Sequence, residues 1–480
     1  MLKKTIIARA VTLSKYMIFF KTKQDKGVEL LKNGRYDDAI RIFSELVSDN
    51  PKDARLLYYL AEGYYKKNDI FETRENLFEC LEQFPDDEII RKITGITNFK
   101  KISSDKYYNS CLNFSSDGQK IIYVSRRRDT NGDGYINFLD NGGVYVVDIN
   151  GKNEKQIVED KFHNSDCSFS ADGRYALYLS RRRDTNGDGK INAKDSAGIY
   201  LYDLEKNEEE LLVSDKLFCR KPMFTYDNKL VVFCSWRRIG GNSGIYSIDI
   251  KSKNIAEIVS DLYENTAPVV SNDSKYIIYS SWRQDTNGDG KINFRDASSI
   301  YITDIFHRTT KQITEDMFDN SFPSYSPDDK YALFLSKRRD TNNDGKIDSL
   351  DFNGIYIYDI LNKKTEEIVS DNAYNKYPMF TNDNKSIVFL GSTRRKYNIK
   401  NVELKDIYQN KAIFLVNIKN REIETLTSNE FLSSTSPRVS GTNKIAYLSW
   451  KKNTRRGIFV RDIYKLPSIP ELKEIVKENL

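Results

Sequence analysis

The chain has 480 residues, of which 39% are hydrophobic and 30% are charged, and its formal net charge is +6. The hydrophobic fraction is too high for a disordered chain, and so small a net charge argues against electrostatic attraction of the whole chain to nucleic acid. Two histidines, His163 and His307, leave little for chemistry that needs a histidine base or a set of histidine metal ligands. Five dispersed cysteines predict free thiols rather than a disulfide framework.

Residues 1–23 combine basic and apolar residues, but Arg9 and Lys15 interrupt the apolar run. The segment therefore lacks the continuous hydrophobic stretch of a signal peptide or a membrane span. A degenerate export signal, a basic amphipathic segment that contacts a membrane peripherally, and an ordinary helix all remain open for these residues.

Residues 24–97 show apolar residues at helical spacing, with breaks at Asn33-Gly34 and at Pro51. The frame recurs after 34 residues, so that Pro51 is matched by Pro85. This helix–turn–helix period is typical of tetratricopeptide repeats. The first unit resembles that family at Gly27, Gly34, Tyr36, Ala39, Phe43 and Pro51. The resemblance implies a groove that holds a peptide or docks a partner; a generic helical hairpin is the alternative.

Residues 98–465 change to a hydrophobic period of two and are rich in β-branched and aromatic residues, which predicts strands. One unit repeats: a Ser-x-Asp-Gly-like turn, a strand that ends in serine, a Gly-Ile-Tyr-like strand, and a short strand that ends in aspartate. The final aspartates are Asp105, Asp160, Asp215, Asp261, Asp316 and Asp371. Four short strands in each unit predict one blade of a β-propeller.

Seven Gly-Ile-Tyr-like strands occur, but the last of them, near residue 460, is not followed by a fourth strand. A matching fourth-strand pattern stands before the first blade, at residues 99–105. We therefore predict a mostly β fold, a seven-bladed β-propeller closed by its N-terminal strand and preceded by a small α-helical tetratricopeptide-repeat domain. A six-bladed ring is the alternative, and residues 466–480 are expected to form a C-terminal helical tail.

The blade repeats, with turns such as Ser326-Pro327-Asp328-Asp329, resemble the WD-like propeller repeats of the TolB family over residues 99–465. The resemblance implies a propeller and favours a partner-binding protein of the cell envelope or periplasm. The N-terminal helical repeats depart from TolB, so its particular partners are not carried over. Free cysteines and the interrupted leader favour a cytoplasmic location as the alternative.

Four blades carry the same twelve-residue insertion between their second and third strands, D-x-[DN]-x-[DN]-G with an aspartate at position twelve. We call these insertions loop 1 (129–140), loop 2 (184–195), loop 3 (285–296) and loop 4 (340–351). Calcium prefers oxygen ligands, which this pattern supplies from positions one, three, five, nine and twelve and from the backbone of position seven. We expect up to four Ca²⁺ ions. The predicted ligands are Asp129, Asn131, Asp133, Tyr135, Asn137, Asp140, Asp184, Asn186, Asp188, Lys190, Asn192, Asp195, Asp285, Asn287, Asp289, Lys291, Asn293, Asp296, Asp340, Asn342, Asp344, Lys346, Asp348 and Asp351.

These loops are similar to those of dockerins and thrombospondin-like modules more than to a helix-flanked EF-hand sensor. Aspartate at position twelve is shorter than the usual glutamate, which predicts a dissociation constant of about 10⁻⁵–10⁻³ M. An Asx-Gly turn that binds nothing is the alternative. Blades 3, 6 and 7 lack the pattern and are not expected to bind a metal ion.

Cations follow the second strand of every blade, and we single out Arg127, Arg182, Arg237, Arg283, Arg338 and Arg394. In one interpretation they neutralise nearby carboxylates. In the other they form a basic collar that binds an acidic peptide, a polyanion or a lipid head group. Nucleic acid is disfavoured, because no base-reading motif accompanies the collar.

The sequence contains no Gly-x-Ser-x-Gly elbow, phosphate loop or dinucleotide fingerprint. We therefore expect a protein that is not an enzyme: a calcium-binding scaffold or adaptor that binds protein partners through its propeller face and helical repeats. The alternative is a carbohydrate-active propeller, a glycosidase or a lyase, that uses calcium to position its substrate.

Overall fold

The computed structural model divides into two compact units, one of Met1–Thr97 with Lys465–Leu480 and the other of Asn98–Tyr464. The predicted tail, residues 466–480, and all but the last two residues of the predicted leader lie outside the described residues. In the part of the chain that the structure describes, no helix is both long and apolar enough to cross a membrane. The structure describes residues 22–51, 53–67, 76, 100–103, 106–236, 243–259, 261–315, 317–348, 350–392, 411–427, 433–450 and 456–462.

The described part of the first unit contains α1 (Lys23–Lys32), α2 (Tyr36–Asp49) and α3 (Ala54–Lys66). Thr22 and Asp25 cap α1 reciprocally, and the chain turns after it at Gly34, whose φ of +74° favours glycine. The helix breaks predicted at Asn33-Gly34 and Pro51 are confirmed. The predicted second repeat lies largely outside the described residues. The core of these helices is formed by Leu31, Ala39, Phe43, Leu56 and Leu60.

The second unit is a seven-bladed β-propeller in which each blade is a four-stranded antiparallel arrangement. Blade 1 consists of β2 (Tyr108–Phe114), β3 (Lys120–Arg126), β4 (Gly143–Asp148) and β5 (Lys155–Val158). Blade 2 consists of β6 (His163–Phe169), β7 (Tyr175–Arg181), β8 (Gly198–Asp203) and β9 (Glu208–Val213). Blade 3 consists of β10 (Cys219–Phe224), β11 (Leu230–Ser235), β12 (Gly244–Asp249) and β13 (Ile255–Val259).

The remaining blades repeat this order. Blade 4 consists of β14 (Glu264–Val270), β15 (Tyr276–Trp282), β16 (Ser299–Asp304) and β17 (Thr310–Gln312). Blade 5 consists of β18 (Asp319–Tyr325), β19 (Tyr331–Lys337), β20 (Gly354–Asp359) and β21 (Lys364–Val369). Blade 6 consists of β22 (Asn375–Phe380), β23 (Ser386–Ser392), β24 (Lys411–Asn417) and β25 (Ile423–Thr425). Blade 7 consists of β26 (Ser433–Val439), β27 (Lys444–Trp450), β28 (Gly457–Asp462) and β1 (Lys100–Lys101).

The ring is closed by β1, which pairs antiparallel with β28, so that Lys100 lies opposite Val460 and Lys101 opposite Phe459. The backbone N–H of Ile102 continues the ladder by donating to Ile458 O at 2.8 Å. The predicted closure and the count of seven blades are thus confirmed, and the six-bladed alternative is wrong. The first strands of consecutive blades are neighbours, and that of blade 7 lies against that of blade 1, so these strands surround a central channel.

A stacked pair of aromatic rings, one from the second strand and one from the third, recurs in every blade. In blades 1, 3 and 5 this second ring lies against the glycine that begins the third strand; a Cβ on Gly354 would lie 2.7 Å from the Tyr356 ring. The Gly-Ile-Tyr pattern therefore reflects packing. The pairs are Tyr123–Tyr145, Tyr178–Tyr200, Phe233–Tyr246, Tyr279–Tyr301, Phe334–Tyr356, Phe389–Phe414 and Tyr447–Phe459.

Hydrophobic clusters fill the spaces between adjacent blades. One joins Leu177 and Ile199 of blade 2 to Phe233 of blade 3. The four cysteines that the structure describes, Cys111, Cys167, Cys219 and Cys234, are free thiols, as predicted.

We predict that Ile102→Ala lowers the free energy of unfolding by about 2–5 kcal/mol, the usual cost of a cavity left by a large aliphatic side chain. Ile102 is buried between blade 1 and blade 7. Denaturant unfolding of the full chain measures the change, and Lys101→Ala, at an exposed position of β1, is the control. Equal stability of the two variants would show that the closing strand carries little of the fold's stability.

Candidate functional site

Loops 1 to 4 share one backbone turn at the end of the second strand of their blades. In loop 1 the Asp129 carboxylate accepts the N–H of Gly132 at 2.7 Å and that of Gly134 at 2.8 Å. Both glycines have positive φ, +76° and +84°. In loop 4 the first of these glycines is replaced by Asn343, which adopts a φ of +59° that asparagine tolerates. The predicted turn is therefore present in all four loops.

Alternate side chains brace the inside of loop 1. Asn131 Oδ1 accepts from Asp133 N at 2.9 Å, and Asp133 Oδ1 accepts from Tyr135 N at 2.8 Å. Asp133 Oδ2 also accepts from the side-chain amides of Asn131 at 3.2 Å and Asn137 at 3.1 Å. The structure thus brings positions three, five and nine together, as the ligand pattern predicts.

The other loops keep parts of this network. Loop 2 has the same amide bonds to Asp188 Oδ2, from Asn186 at 3.4 Å and from Asn192 at 3.3 Å. In loop 4 Asn342 donates to Asp344 at 3.0 Å. Loop 3 keeps the turn bonds of Asp285.

The aspartate at position twelve closes each loop from the inside. Asp140 is 0% exposed; its Oδ1 accepts from Thr130 N at 2.7 Å and its Oδ2 from Asn137 N at 2.7 Å. Asp195, Asp296 and Asp351 make the equivalent bonds. Burial alone would raise the pKa of Asp195 and Asp351, but their backbone donors outweigh it and the pKa of each is lowered. These carboxylates are therefore ionised at neutral pH.

The donor set of each loop fits calcium in kind, because carboxylate and amide oxygens share one short turn with a backbone carbonyl at position seven. Among the described residues, however, no group of three or more His, Cys, Asp or Glu side chains is arranged to hold a metal ion. The carboxylate at position twelve already accepts hydrogen bonds from several backbone N–H groups of its own loop. To receive an ion, Asn131 and Asn137 must turn their oxygens inward, since their NH₂ groups now face Asp133.

The first residue after the strand-two serine holds the far end of loops 1 to 3, whereas in blade 5 the equivalent Lys337 pairs with Asp319 at 2.6 Å. Arg126 Nε donates to Asp140 O at 2.9 Å, and Arg181 Nε donates to Asp195 O at 3.0 Å. In blade 4 the same task falls to Trp282, whose Nε1 donates to Asp296 O at 3.1 Å. An extended N–H donor is what this position requires, which explains why tryptophan replaces arginine there.

The second residue after the strand-two serine is the predicted collar arginine, and its guanidinium is stacked between two aromatic rings. The Arg127 guanidinium lies 3.8 Å from the Tyr145 ring centre and 4.7 Å from that of Tyr107, and it pairs with Glu154 at 2.8 Å. Arg182, Arg283 and Arg338 are stacked in the same way.

This placement bears on the two interpretations of the collar. The side chains of Arg127, Arg182 and Arg283 are only 22–23% exposed, and the stacking favours neutralisation and packing. Contact of these arginines with a partner stays a prediction. Arg237 and Arg394 lie outside the described residues.

The third residue after the strand-two serine is more exposed, and in blades 1, 2 and 5 it pairs with the aspartate two residues beyond the fourth strand. Arg128 Nε donates to Asp160 at 2.8 Å and Arg183 Nε to Asp215 at 2.7 Å. Arg339 likewise pairs with Asp371. These arginine side chains are 53–68% exposed. Three of the six repeated aspartates are thus partners of these cations, and a fourth, Asp261, pairs with Arg283.

Sequence reasoning missed the apolar tips of the loops. Tyr135, Phe138, Phe294 and Leu350 are 70%, 59%, 75% and 60% exposed. Apart from Tyr135, which contributes only its backbone to the ligand pattern, they stand at positions ten and eleven, which vary between loops and supply no ligand. That combination, variable and apolar within a polar loop, was the signal available in the sequence.

Residues 30–93 match the family model described as tetratricopeptide repeat, which confirms the N-terminal resemblance. No curated protein matches the chain.

Several solved structures share the propeller fold. An oligogalacturonate lyase from Vibrio parahaemolyticus is 14% identical with a TM-score of 0.54, over 76% of this chain and 94% of that chain. A puromycin-hydrolysing peptidase from Mycobacterium tuberculosis is 10% identical with a TM-score of 0.52, over 76% and 53%. TolB from Acinetobacter baumannii is 16% identical with a TM-score of 0.41, over 76% and 68%. Identities this low show the fold alone.

These comparisons correct one expectation. We expected from the sequence a protein that is not an enzyme, and that expectation is contradicted, because the propellers similar to this chain include a lyase and a peptidase. The absence of a familiar motif does not separate catalytic from non-catalytic propellers, since function depends on the site built on the fold.

One buried histidine connects loop 1 to blade 2. His163 is 5% exposed, pairs with Gly142 two residues after loop 1, and has its Nδ1 3.4 Å from Arg181 Nη1. Burial, together with Arg126 and Arg181, lowers the pKa of His163 to about 4. The ring is therefore neutral at pH 7.

We predict that the wild-type protein loses stability as the pH falls from about 6.5 to 4. In this range His163 binds a proton in the unfolded state but stays neutral in the folded state. The loss attributable to His163 is at most about 3 kcal/mol, and it disappears in His163→Leu. Urea unfolding at several pH values measures both proteins. Parallel stability–pH curves for the two would contradict the assignment.

Proposed function

We propose that this protein is a calcium-dependent binding protein whose loops 1 to 4 form a docking surface for a protein partner, with the tetratricopeptide repeats as a second binding region. The observation that carries the proposal is the loop itself, present in four copies. Its ligand-type side chains point into the turn, and its apolar tips are exposed.

The residues that would hold each ion are those at positions one, three, five, seven, nine and twelve, as in Asp129 to Asp140 of loop 1. Bound calcium would neutralise the clustered carboxylates and tie the loop into one shape. The bases of loops 1, 2 and 3 are already held by Arg126, Arg181 and Trp282. The effect of the ion is therefore greatest at the tips.

The four loops lie at one end of the propeller, because each follows the second strand of its blade. We call this end the loop face. Exposed cations stand beside the apolar tips there: Lys190, Lys194, Lys291, Arg295 and Lys346. With the aspartates neutralised by calcium, the loop face presents apolar and positively charged groups. A partner with apolar and acidic groups, such as an acidic peptide or an envelope protein, complements it.

We place the protein in the cell envelope, because weak calcium sites fill only where calcium is abundant. Fractionation of cells tests this location, and recovery of the protein solely in the cytosolic fraction would contradict it.

We predict that chelation lowers the melting temperature of the wild-type protein, since calcium in about 100-fold excess over its dissociation constant adds about 2.7 kcal/mol per site. Changing Asp129, Asp184, Asp285 and Asp340 together to Ala abolishes the shift, and titration calorimetry of the wild type gives four sites. The matched control changes Asp117, Asp172, Asp273 and Asp328 to Ala; these carboxylates accept serine hydroxyls in turns at the opposite end. An unshifted wild-type melting temperature would end the proposal.

We predict that Phe138→Ser, Phe294→Ser and Leu350→Ser combined remove calcium-dependent capture of partners from an envelope extract while leaving calcium binding intact. The control variant carries Phe306→Ser and Leu361→Ser, which are 62% and 86% exposed on turns at the other end. Capture that survives the loop substitutions, or that is unaffected by chelator, would show that the loop face is not the docking surface.

A further inference from the structure

A cavity of about 550 Å³ lies in the central channel at the end opposite the loop face. Each first strand contains a bulge whose residue has a φ near +50°: Cys111, Asp166, Lys221, Ala267, Phe322, Tyr377 and Ser436. Two positions after each bulge, one residue from every blade lines the cavity: Asn113, Ser168, Met223, Val269, Ser324, Met379 and Arg438. Of these seven equivalent positions, one carries a charged side chain, and that residue is Arg438.

Arg438 is held in place by neutral groups. Its Nε donates to Asn113 Oδ1 at 2.9 Å and its Nη1 to Pro437 O at 2.9 Å. The Asn113 amide donates to Cys167 O at 2.7 Å, which fixes its oxygen toward the guanidinium. Over the described ranges, no Asp or Glu pairs with Arg438, and its Nη2 has no hydrogen-bond partner.

This arrangement is costly without an anion. A cation in a partly desolvated site is stabilised chiefly by a carboxylate, and burial lowers the pKa of Arg438. At the bulge level Asp166 pairs with Lys221 at 3.3 Å; it attracts Arg438 through space but does not offset the effect of burial on that side chain.

The rest of the cavity wall combines apolar side chains with neutral polar ones, mainly serine and asparagine. Met223, Phe224, Met379, Phe380 and Val439 contribute to it. At the bulge level the rings of Phe322 and Tyr377 pack edge to face with centroids 5.4 Å apart. A cavity of this volume, with one cation in a wall of apolar and neutral polar groups, suits a small amphipathic anion.

We propose that this cavity binds a carboxylate with an apolar body, either a free organic acid or the C-terminal carboxylate of a peptide, and that Arg438 pairs with the carboxylate. The site is independent of calcium, because it lies among the turns between first and second strands, whereas loops 1 to 4 follow the second strands.

Ligand-observed NMR titration of the full chain in EDTA tests the proposal with two matched pairs: octanoate against octanamide, and N-acetyl-phenylalanine against its C-terminal amide. We expect at least one acid to bind about tenfold more tightly than its amide. Preference for octanoate identifies a free acid as the ligand class, and preference for the amino-acid derivative identifies a chain terminus.

Arg438→Met removes the preference for the acid, and Arg438→Lys retains part of it. The control Arg421→Met removes an arginine that pairs with Glu366 away from the cavity and leaves the preference unchanged. Equal binding of acid and amide by the wild type, or no binding of any probe at millimolar concentration, overturns the proposal, even if the Arg438 variants fail to fold. Because calcium is absent, the result is separate from the fate of the loop proposal.

Discussion

The pairing of β1 with β28 is the interaction on which the rest of the propeller depends. Every blade buries an apolar face against the next, and the cluster between blades 7 and 1 joins Ile102 and Leu112 to Ala446 and Leu448. An open ring would expose that cluster to water. Since closure fixes the angular position of every blade, it also places the four loops on one face and brings seven first strands around one channel.

The segment that follows each second strand shows how a run of like charges is accommodated on this frame. In blade 1 its three arginines have different tasks: Arg126 holds a loop carbonyl, Arg127 is stacked between rings, and Arg128 pairs with Asp160. Each charge has a separate partner, so repulsion within the run is offset. The result in blade 1 is a base under loop 1 that is held in place by the protein's own contacts.

The fold was predictable because its determinants are local and repeated. Glycine before Ile-Tyr and serine at the end of the second strand recur from blade to blade, and repetition makes a weak local signal strong. The unmatched strand pattern at residues 99–105 then indicated how the ring closes. The turn of each loop was likewise predictable, because Gly134 and its equivalents mark positive φ.

The site was less predictable, because its contacts join distant residues. Nothing near Arg182 in the sequence indicates that Phe162 and Tyr200 enclose it. The sequence does not show whether an apolar residue in a loop, such as Phe294, is packed or exposed. The cavity beside Arg438 is assembled from seven blades that are far apart in the sequence. Catalysis could not be excluded from missing motifs, because a fold hosts unrelated activities.

The account's central claim is that loops 1 to 4 bind calcium and thereby order a docking face. Crystals grown in millimolar calcium and measured at a long wavelength, where calcium scatters anomalously, test it most directly. The account predicts anomalous peaks inside all four loops, each surrounded by the side chains of positions one, three, five and twelve. Well-ordered loops with no such peak would contradict it.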